Sequence, residues 1–203
     1  MRIANLLDRP RDMEVTSYLE WALNGIDAYQ RQRSYNALHI GTAYAAPGVL
    51  LAQNRLLAKD GALGRGALPL AFHALVSAEG ATLLGYEDSR RRFIGQGSET
   101  APDQLAPDVL RMRRDFGLLY TFDPVAALSV RLALPARGAA TLVFADGFGE
   151  SLAETAALLQ KAGVGADAAT LGAALEQHRP LLDAEVPRTH LPFAFTEDGN
   201  ELH

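Results

Sequence analysis

The sequence predicts a mainly β fold, an antiparallel sandwich followed by a short pair of helices. Three observations carry that reading. Between Met13 and Ala22 the side chains alternate, with Met13, Val15, Ser17, Leu19 and Trp21 on one face and Glu14, Thr16, Tyr18 and Glu20 on the other. That is the period of a half-buried strand. Val125 to Leu134 repeats it through Leu128, Val130, Leu132 and Leu134. After Gly149 the period changes: Ser151 and Glu154 form a capping box, with Leu152, Ala156 and Leu159 at helical spacing behind them.

The remaining elements follow in order. Asn24-Gly25 marks a turn after the first strand, and the polar segment Ile26 to Ser34 reads as a loop. Alternation resumes from Tyr35 to Tyr44 through Leu38, Ile40 and Thr42, and after Pro47-Gly48 a further apolar segment runs from Val49 to Leu57. A glycine-rich loop spans Asp60 to Gly66. Leu70 to Ser77 is a strand, Glu79-Gly80 a turn, and Ala81 to Gly85 a short strand. Ser98 to Asp108, with its prolines and acids, is loop. Val125–Leu134 and Ala139–Ala145 are expected to pair as a hairpin across Pro135-Ala136-Arg137-Gly138. Gly163 and Gly165 stop the first helix, Asp167 caps a second with Leu171, Leu175 and His178 on one face, and Pro180 ends it. The domain reading is therefore sheet over 1–148, a helical appendage over 149–180 and an irregular tail over 181–203.

Composition narrows the function classes. The 203 residues are 48% hydrophobic and 21% charged, with a net charge of −5, which gives no reason to expect nucleic acid as a partner. Apart from Lys59 and Lys161 the cations are all arginine. No cysteine is present, which excludes disulfides and thiolate sites. No apolar run approaches the roughly 18 residues of a membrane span, and Met1 to Asp8 lacks the apolar core of a signal peptide. A cytoplasmic location is expected. His39, His73, His178, His190 and His203 lack metal-ligand spacing, and His39 and His73 are expected to be hydrogen-bonded structural histidines. Ser98 is not in a nucleophile elbow, and Gly95-x-Gly97 lacks the third glycine of a dinucleotide site.

The densest chemistry is Gly85-Tyr86-Glu87-Asp88-Ser89-Arg90-Arg91-Arg92-Phe93-Ile94-Gly95-Gln96-Gly97. Three adjacent arginines repel one another, and guanidinium groups suit bidentate pairing with carboxylates and fixed polar recognition. Gly95 and Gly97 imply a positive φ or a close approach. Read from spacing alone, the run is a solvated loop whose arginines pair with Glu87 and Asp88. Asp123, before Pro124, is a turn former or a partner for one of Arg90 to Arg92. Glu14, Glu20, Asp88 and Asp123 are the carboxylates available for hydrolytic work, with Glu14 and Glu20 reading as same-face strand residues. Tyr18, Trp21, Tyr35 and Tyr86 are the aromatics on which a pyranose could stack, although Trp21 reads as core.

That run resembles the Tyr-Glu-x-Asp-Arg-x-x-Phe-Leu-Gly-Arg-Gly segment of the β-supersandwich domain in glycoside hydrolase family 94, which contains cyclic β-1,2-glucan synthases and cellobiose- and chitobiose-type phosphorylases. Glu14-Val15-Thr16-Ser17-Tyr18-Leu19-Glu20-Trp21-Ala22-Leu23 resembles the family's Glu-Leu-Thr-Ser-Tyr-x-Glu-x-x-Leu strand, and Asn5 to Arg11 the connection before it. Phe122-Asp123-Pro124-Val125-Ala126-Ala127-Leu128 resembles Leu-Asp-Pro-Ile-x-x-Leu, with the Pro135–Phe144 hairpin and the Ser151 helix start in the expected order after it. The likeness covers roughly residues 4–160. Phe195 to Glu201 is similar, over a short stretch, to a Phe-x-x-Asp-Gly-Arg-Glu module start. The chain departs from the pattern at Ser89 (aspartate in the family), at Gln96 (arginine), and before Tyr35, where an Asp-x-x-His is absent.

The resemblance implies a β-supersandwich that begins about halfway through the family's domain and is therefore incomplete, with an unpaired edge and an exposed apolar face. It implies a non-catalytic carbohydrate-binding and assembly role beside an (α/α)6 barrel that supplies the catalytic aspartate, so no activity is expected of this chain alone. The implied ligand is a β-glucan or gluco-oligosaccharide, bound through Asp88, Arg90, Arg92, Gln96 and Asp123. The implied partners are that barrel or a second copy of the chain, with no metal or organic cofactor. The alternatives are a free-standing interaction module that kept the sandwich and lost sugar binding, and a truncated gene product without function.

Overall fold

A computed structural model describes residues 1–54, 69–78, 80–106 and 123–178, with two-residue strands at 194–195 and 201–202. The expected Asp60–Gly66 loop, the Pro180 stop and nearly all of the tail lie outside the described residues. The strands are β1 (Arg2–Ala4), β2 (Arg11–Glu20), β3 (Ile40–Ala46), β4 (Val49–Asn54), β5 (Leu70–Ala78), β6 (Ala81–Ser89), β7 (Pro124–Leu134), β8 (Ala139–Gly149) and the pair β9 (Ala194–Phe195) and β10 (Glu201–Leu202). The helices are α1 (Ile26–Arg31), α2 (Arg33–Leu38), α3 (Arg90–Ile94), α4 (Leu152–Lys161) and α5 (Ala168–His178). The fold is mainly β. A five-stranded sheet of order β1-β8-β5-β4-β3 faces a three-stranded sheet of order β2-β7-β6, and the pairings are antiparallel.

Alternation assigns each strand's two faces. On one face of the five-stranded sheet Ala43, Ala45, Val49, Leu51, Leu70, Phe72 and Ala74 pack against Ala156, Leu159, Ala166, Leu171 and Ala174 of the helical pair and its connection. On the other, Tyr44, Leu50, Ala52 and Ala71 meet Trp21, Tyr86, Ala126 and Leu128 of the smaller sheet. Farther along, Ala140 and Leu142 meet Val130, Leu132 and Leu134. The helices are thus a third layer on the sheet, and their caps form as the sequence predicts: Glu154 N–H donates to Ser151 Oγ at 3.2 Å and Thr170 N–H to Asp167 Oδ1 at 2.8 Å. Both faces of the β3, β4 and β5 part of the sheet are covered by the chain's own residues, so the apolar face expected to lie open is not open there, whereas Val143 and Phe148 of β8 are exposed. The edges β1, β3, β2 and β6 carry no further strand among the described residues.

Three expectations are corrected. Ile26 to Leu38 is neither loop nor strand but two six-residue helices, and β3 begins only at Ile40. Helices this short and polar have no apolar stripe for a pattern to reveal. Asn24, ahead of α1, donates its Nδ2 to Asn36 Oδ1 of α2 at 2.7 Å, and Asn54 Nδ2 donates to Leu23 O, in the segment leading into α1, at 2.8 Å. Next, β6 does not stop at Gly85 but runs to Ser89, and Glu87, Asp88 and Ser89 are buried rather than solvated. Its register with β7 slips between Leu83 and Gly85 and again between Glu87 and Ser89. A bulge shifts the period by one, which turns Tyr86 inward to stack on Tyr44 at 4.0 Å.

The third correction concerns topology. β7 and β8 are not a hairpin. They enter different sheets, β7 between β2 and β6 and β8 between β1 and β5. The turn at Pro135–Gly138, with Arg137 at φ 56, carries the chain across the sandwich. The β1–β2 connection crosses beside it, and Asn5 laces the two: its Nδ2 donates to Arg9 O at 2.7 Å and Pro135 O at 2.9 Å, and its Oδ1 accepts from Leu7 N–H at 3.1 Å. Pairing across the turn would have left the apolar faces of both strands in one sheet with no second layer.

Candidate functional site

The arginine run folds as the junction between β6 and α3. Ser89 is the N-cap, its Oγ accepting from Arg92 N–H at 3.4 Å. Serine and aspartate serve this position equally well, so the departure at Ser89 preserves the cap. Glu87 lies beneath the turn, its Oε1 accepting from Asp88 N–H at 3.0 Å, Ser89 N–H at 2.9 Å and Arg92 Nε at 2.9 Å. Arg92 Nη2 also reaches Asp88 Oδ1 at 2.6 Å, while Asp88 Oδ2 accepts from Thr42 Oγ1 of the opposite sheet at 3.1 Å. Burial works against the Arg92 charge, but the Glu87 hydrogen bond and the charges of Glu87 and Asp88 outweigh it and hold its pKa above the ordinary arginine value.

Arg90 points the other way, toward β2 and the start of β7. Its Nε donates to Glu20 Oε1 at 2.9 Å, its Nη2 pairs with Glu99, and its Nη1 stands 3.6 Å from Asp123 Oδ2. Its own N–H donates to Asp123 O at 2.9 Å. Partial burial opposes this charge too, and the Glu99 hydrogen bond with the charge of Asp123 more than offsets it, so its pKa is raised. Glu20 accepts as well from Arg33 and, at 2.9 Å, from the Tyr18 hydroxyl. Tyr18 stacks on Phe93 of α3 with centroids 4.8 Å apart, and burial raises its hydroxyl pKa against the pull of Arg90. Arg33, Ser34, Ala37, Arg90 and Asp123 line an open cleft of about 280 Å³. With donors from two guanidinium groups and acceptors from neighbouring carboxylates, it matches a neutral ligand rich in hydroxyls better than a single charge.

Of the five residues singled out from the sequence, Arg90 and Asp123 meet at the cleft, while Asp88 and Arg92 form the buried network behind it. Gln96 stands apart. Its backbone N–H donates to Asp103 Oδ2 at 2.7 Å and its side chain is exposed. Gly95, at φ +61, and Gly97 both sit against Asp103, and a Cβ on Gly97 would lie 2.3 Å from Ala101 O, so both glycines are there for close approach. Of the aromatics, Trp21 and Tyr86 are core residues, whereas Tyr18 and Tyr35 are exposed. His73 is hydrogen-bonded through both ring nitrogens as expected, but His39 Nε2 has no partner. Arg33, Ser34, Glu20 and Glu99 were not singled out for the cleft. Glu20 lies 70 residues from Arg90, and nothing local links them. No group of histidine and carboxylate ligands able to hold a metal occurs among the described residues, and no described helix is long and apolar enough to cross a membrane.

Compared with known proteins, residues 1–163 match the family model described as "Glycosyl hydrolase 94, supersandwich domain". The match runs from β1 through α4 and includes every residue of the cleft. No curated protein matches the chain.

Proposed function

Since the chain belongs to the glycosyl hydrolase 94 supersandwich family, we propose that it acts as a non-catalytic carbohydrate-binding and assembly domain for a β-glucan-acting transferase or phosphorylase. The ligand is a β-glucan or gluco-oligosaccharide, and the catalytic (α/α)6 barrel, or a second copy of the chain, is the partner. One observation carries the reading: Arg90 and Asp123 share an open cleft yet stand 3.6 Å apart, beyond hydrogen-bond reach. Adjacent sugar hydroxyls suit the open side of this pair, one accepting from the guanidinium and the other donating to the carboxylate. Arg33 and Ser34 complete the polar wall, Asp88 and Arg92 fix the β6–α3 platform, and Gln96 lies at its exposed end.

Calorimetric titration of the chain with β-1,2- and β-1,4-gluco-oligosaccharides tests this. Heat of binding that falls about 10- to 100-fold in affinity in Arg90→Ala, the usual loss for one charge-assisted hydrogen bond, supports it. A second reading, an interaction module without a sugar site, is favoured by Glu20 and Glu99 already engaging Arg90. Absence of heat with every oligosaccharide selects that reading.

A further inference from the structure

Away from the cleft, His73 of β5 faces the three-stranded sheet and is 2% exposed. Its Nε2 lies 2.7 Å from Ser17 Oγ of β2, and its Nδ1 lies 2.5 Å from Asp146 Oδ1 of β8. Three strands from two sheets thus bring together a hydroxyl, an imidazole and a carboxylate in the order nucleophile, base, orienting acid. A carboxylate accepts and does not donate, so Nδ1–H donates to Asp146, and the tautomer protonated at Nδ1 presents the Nε2 lone pair to the Ser17 hydroxyl. The ring is held on its other sides: Asp146 is its cross-strand partner in β8, Leu50 its partner in β4, and Phe144 lies parallel to it with centroids 5.8 Å apart. β2 is an edge strand, Ser17 is partly exposed, and the Asp146 side chain is 61% exposed. The base is therefore buried, the hydroxyl part-buried and within 3.5 Å of Leu128 O as well, and the carboxylate exposed.

We propose that Ser17 is an activated nucleophile that accepts an acyl group from small, uncharged esters, with His73 as the base and Asp146 as the positioning residue. The apolar neighbours Leu19, Leu75 and Phe144 suit a short aliphatic acyl chain. In the step, Ser17 Oγ bonds to the ester carbonyl carbon while its proton passes to His73 Nε2. The bond from carbon to the leaving oxygen then breaks, and that proton leaves with the alcohol. The product is a serine ester plus one alcohol. Acyl transfer to Ser17 is what these residues carry, and it is independent of glucan binding at the cleft.

The full chain is incubated with p-nitrophenyl acetate, p-nitrophenolate release is followed, and the acetylated peptide is located by mass spectrometry. One acetyl group on the peptide containing Ser17 is expected, absent in Ser17→Ala. His73→Gln is expected to slow acylation of the intact Ser17 by about 10²- to 10⁴-fold, the usual span for loss of a general base. Asp146→Asn, at an exposed position, is expected to slow it less and to alter its pH profile. No adduct, an adduct at His73 or a lysine instead, or an unchanged rate in Asp146→Asn each overturns the proposal. That last arm keeps the test decisive if circular dichroism shows that His73→Gln does not fold.

Discussion

Glu87 and Arg92 form a partly buried ion pair in which the carboxylate, 1% exposed, meets the guanidinium at 2.9 Å through Nε and at 2.8 Å through Nη2. The same oxygen takes two backbone N–H groups of the turn. One carboxylate therefore ties the end of β6 to the start of α3.

Replacing Glu87 by alanine strands those donors. Removing one member of a buried pair costs up to about 5 kcal/mol, and the partial exposure of Arg92 lowers the expected loss to about 2–4 kcal/mol. Urea denaturation of Glu87→Ala measures it. A loss below about 1 kcal/mol would show that the turn is held by something else.

Asn5→Ala removes three hydrogen bonds that lace the two crossings between sheets. Because Asn5 is buried, a loss of about 1–3 kcal/mol is expected, together with faster amide exchange at Leu7 and Arg137. Unchanged exchange at both would contradict the lacing.

The helical pair is integral to the sheet. Leu159 and Leu171 are fully buried against it, so Leu171→Ala should cost about 2–5 kcal/mol in a single cooperative transition. Separate melting of helices and sheet would show instead that 149–180 is an independent appendage.

Asp167 titrates in a window that can be read directly. The Thr170 amide holds its carboxyl below the usual value, so its stabilising effect is complete above about pH 4 and is lost as pH falls through the lower folded value. Asp8, held low by Arg137, has the same sign. Thermal melts of Asp167→Ala should match the parent at low pH and fall below it near neutrality. A constant difference at every pH would remove the N-cap from the account.

Gly97→Ala should disturb the loop around Asp103, because its Cβ would meet Ala101 O at 2.3 Å. The backbone must move, at a cost of about 1–3 kcal/mol. Tm compared with that of Gly165→Ala, where a Cβ meets nothing within 4 Å, isolates the effect.

The sequence by itself determined whatever depends on neighbours along the chain. Alternation from Met13 to Leu19 and from Leu128 to Leu134 marked β2 and β7 and their buried faces. Ser151 and Asp167 marked the helix starts, because a cap is made within one turn. The arginine run stood out as dense chemistry, and its likeness pointed to the family. Tertiary structure decided partnership. Alternation says which face of a strand is buried and nothing about which strand lies beside it, so β7 and β8, four residues apart, looked like a hairpin and belong to opposite sheets. The helices α1 and α2 were hidden because they are six residues each and polar, too short to show a period. The cleft exists only because Arg33 of α2, Arg90 of α3 and Asp123 before β7, distant in sequence, converge beside Glu20 of β2, which pairs with both arginines, and long-range convergence leaves no local pattern to read.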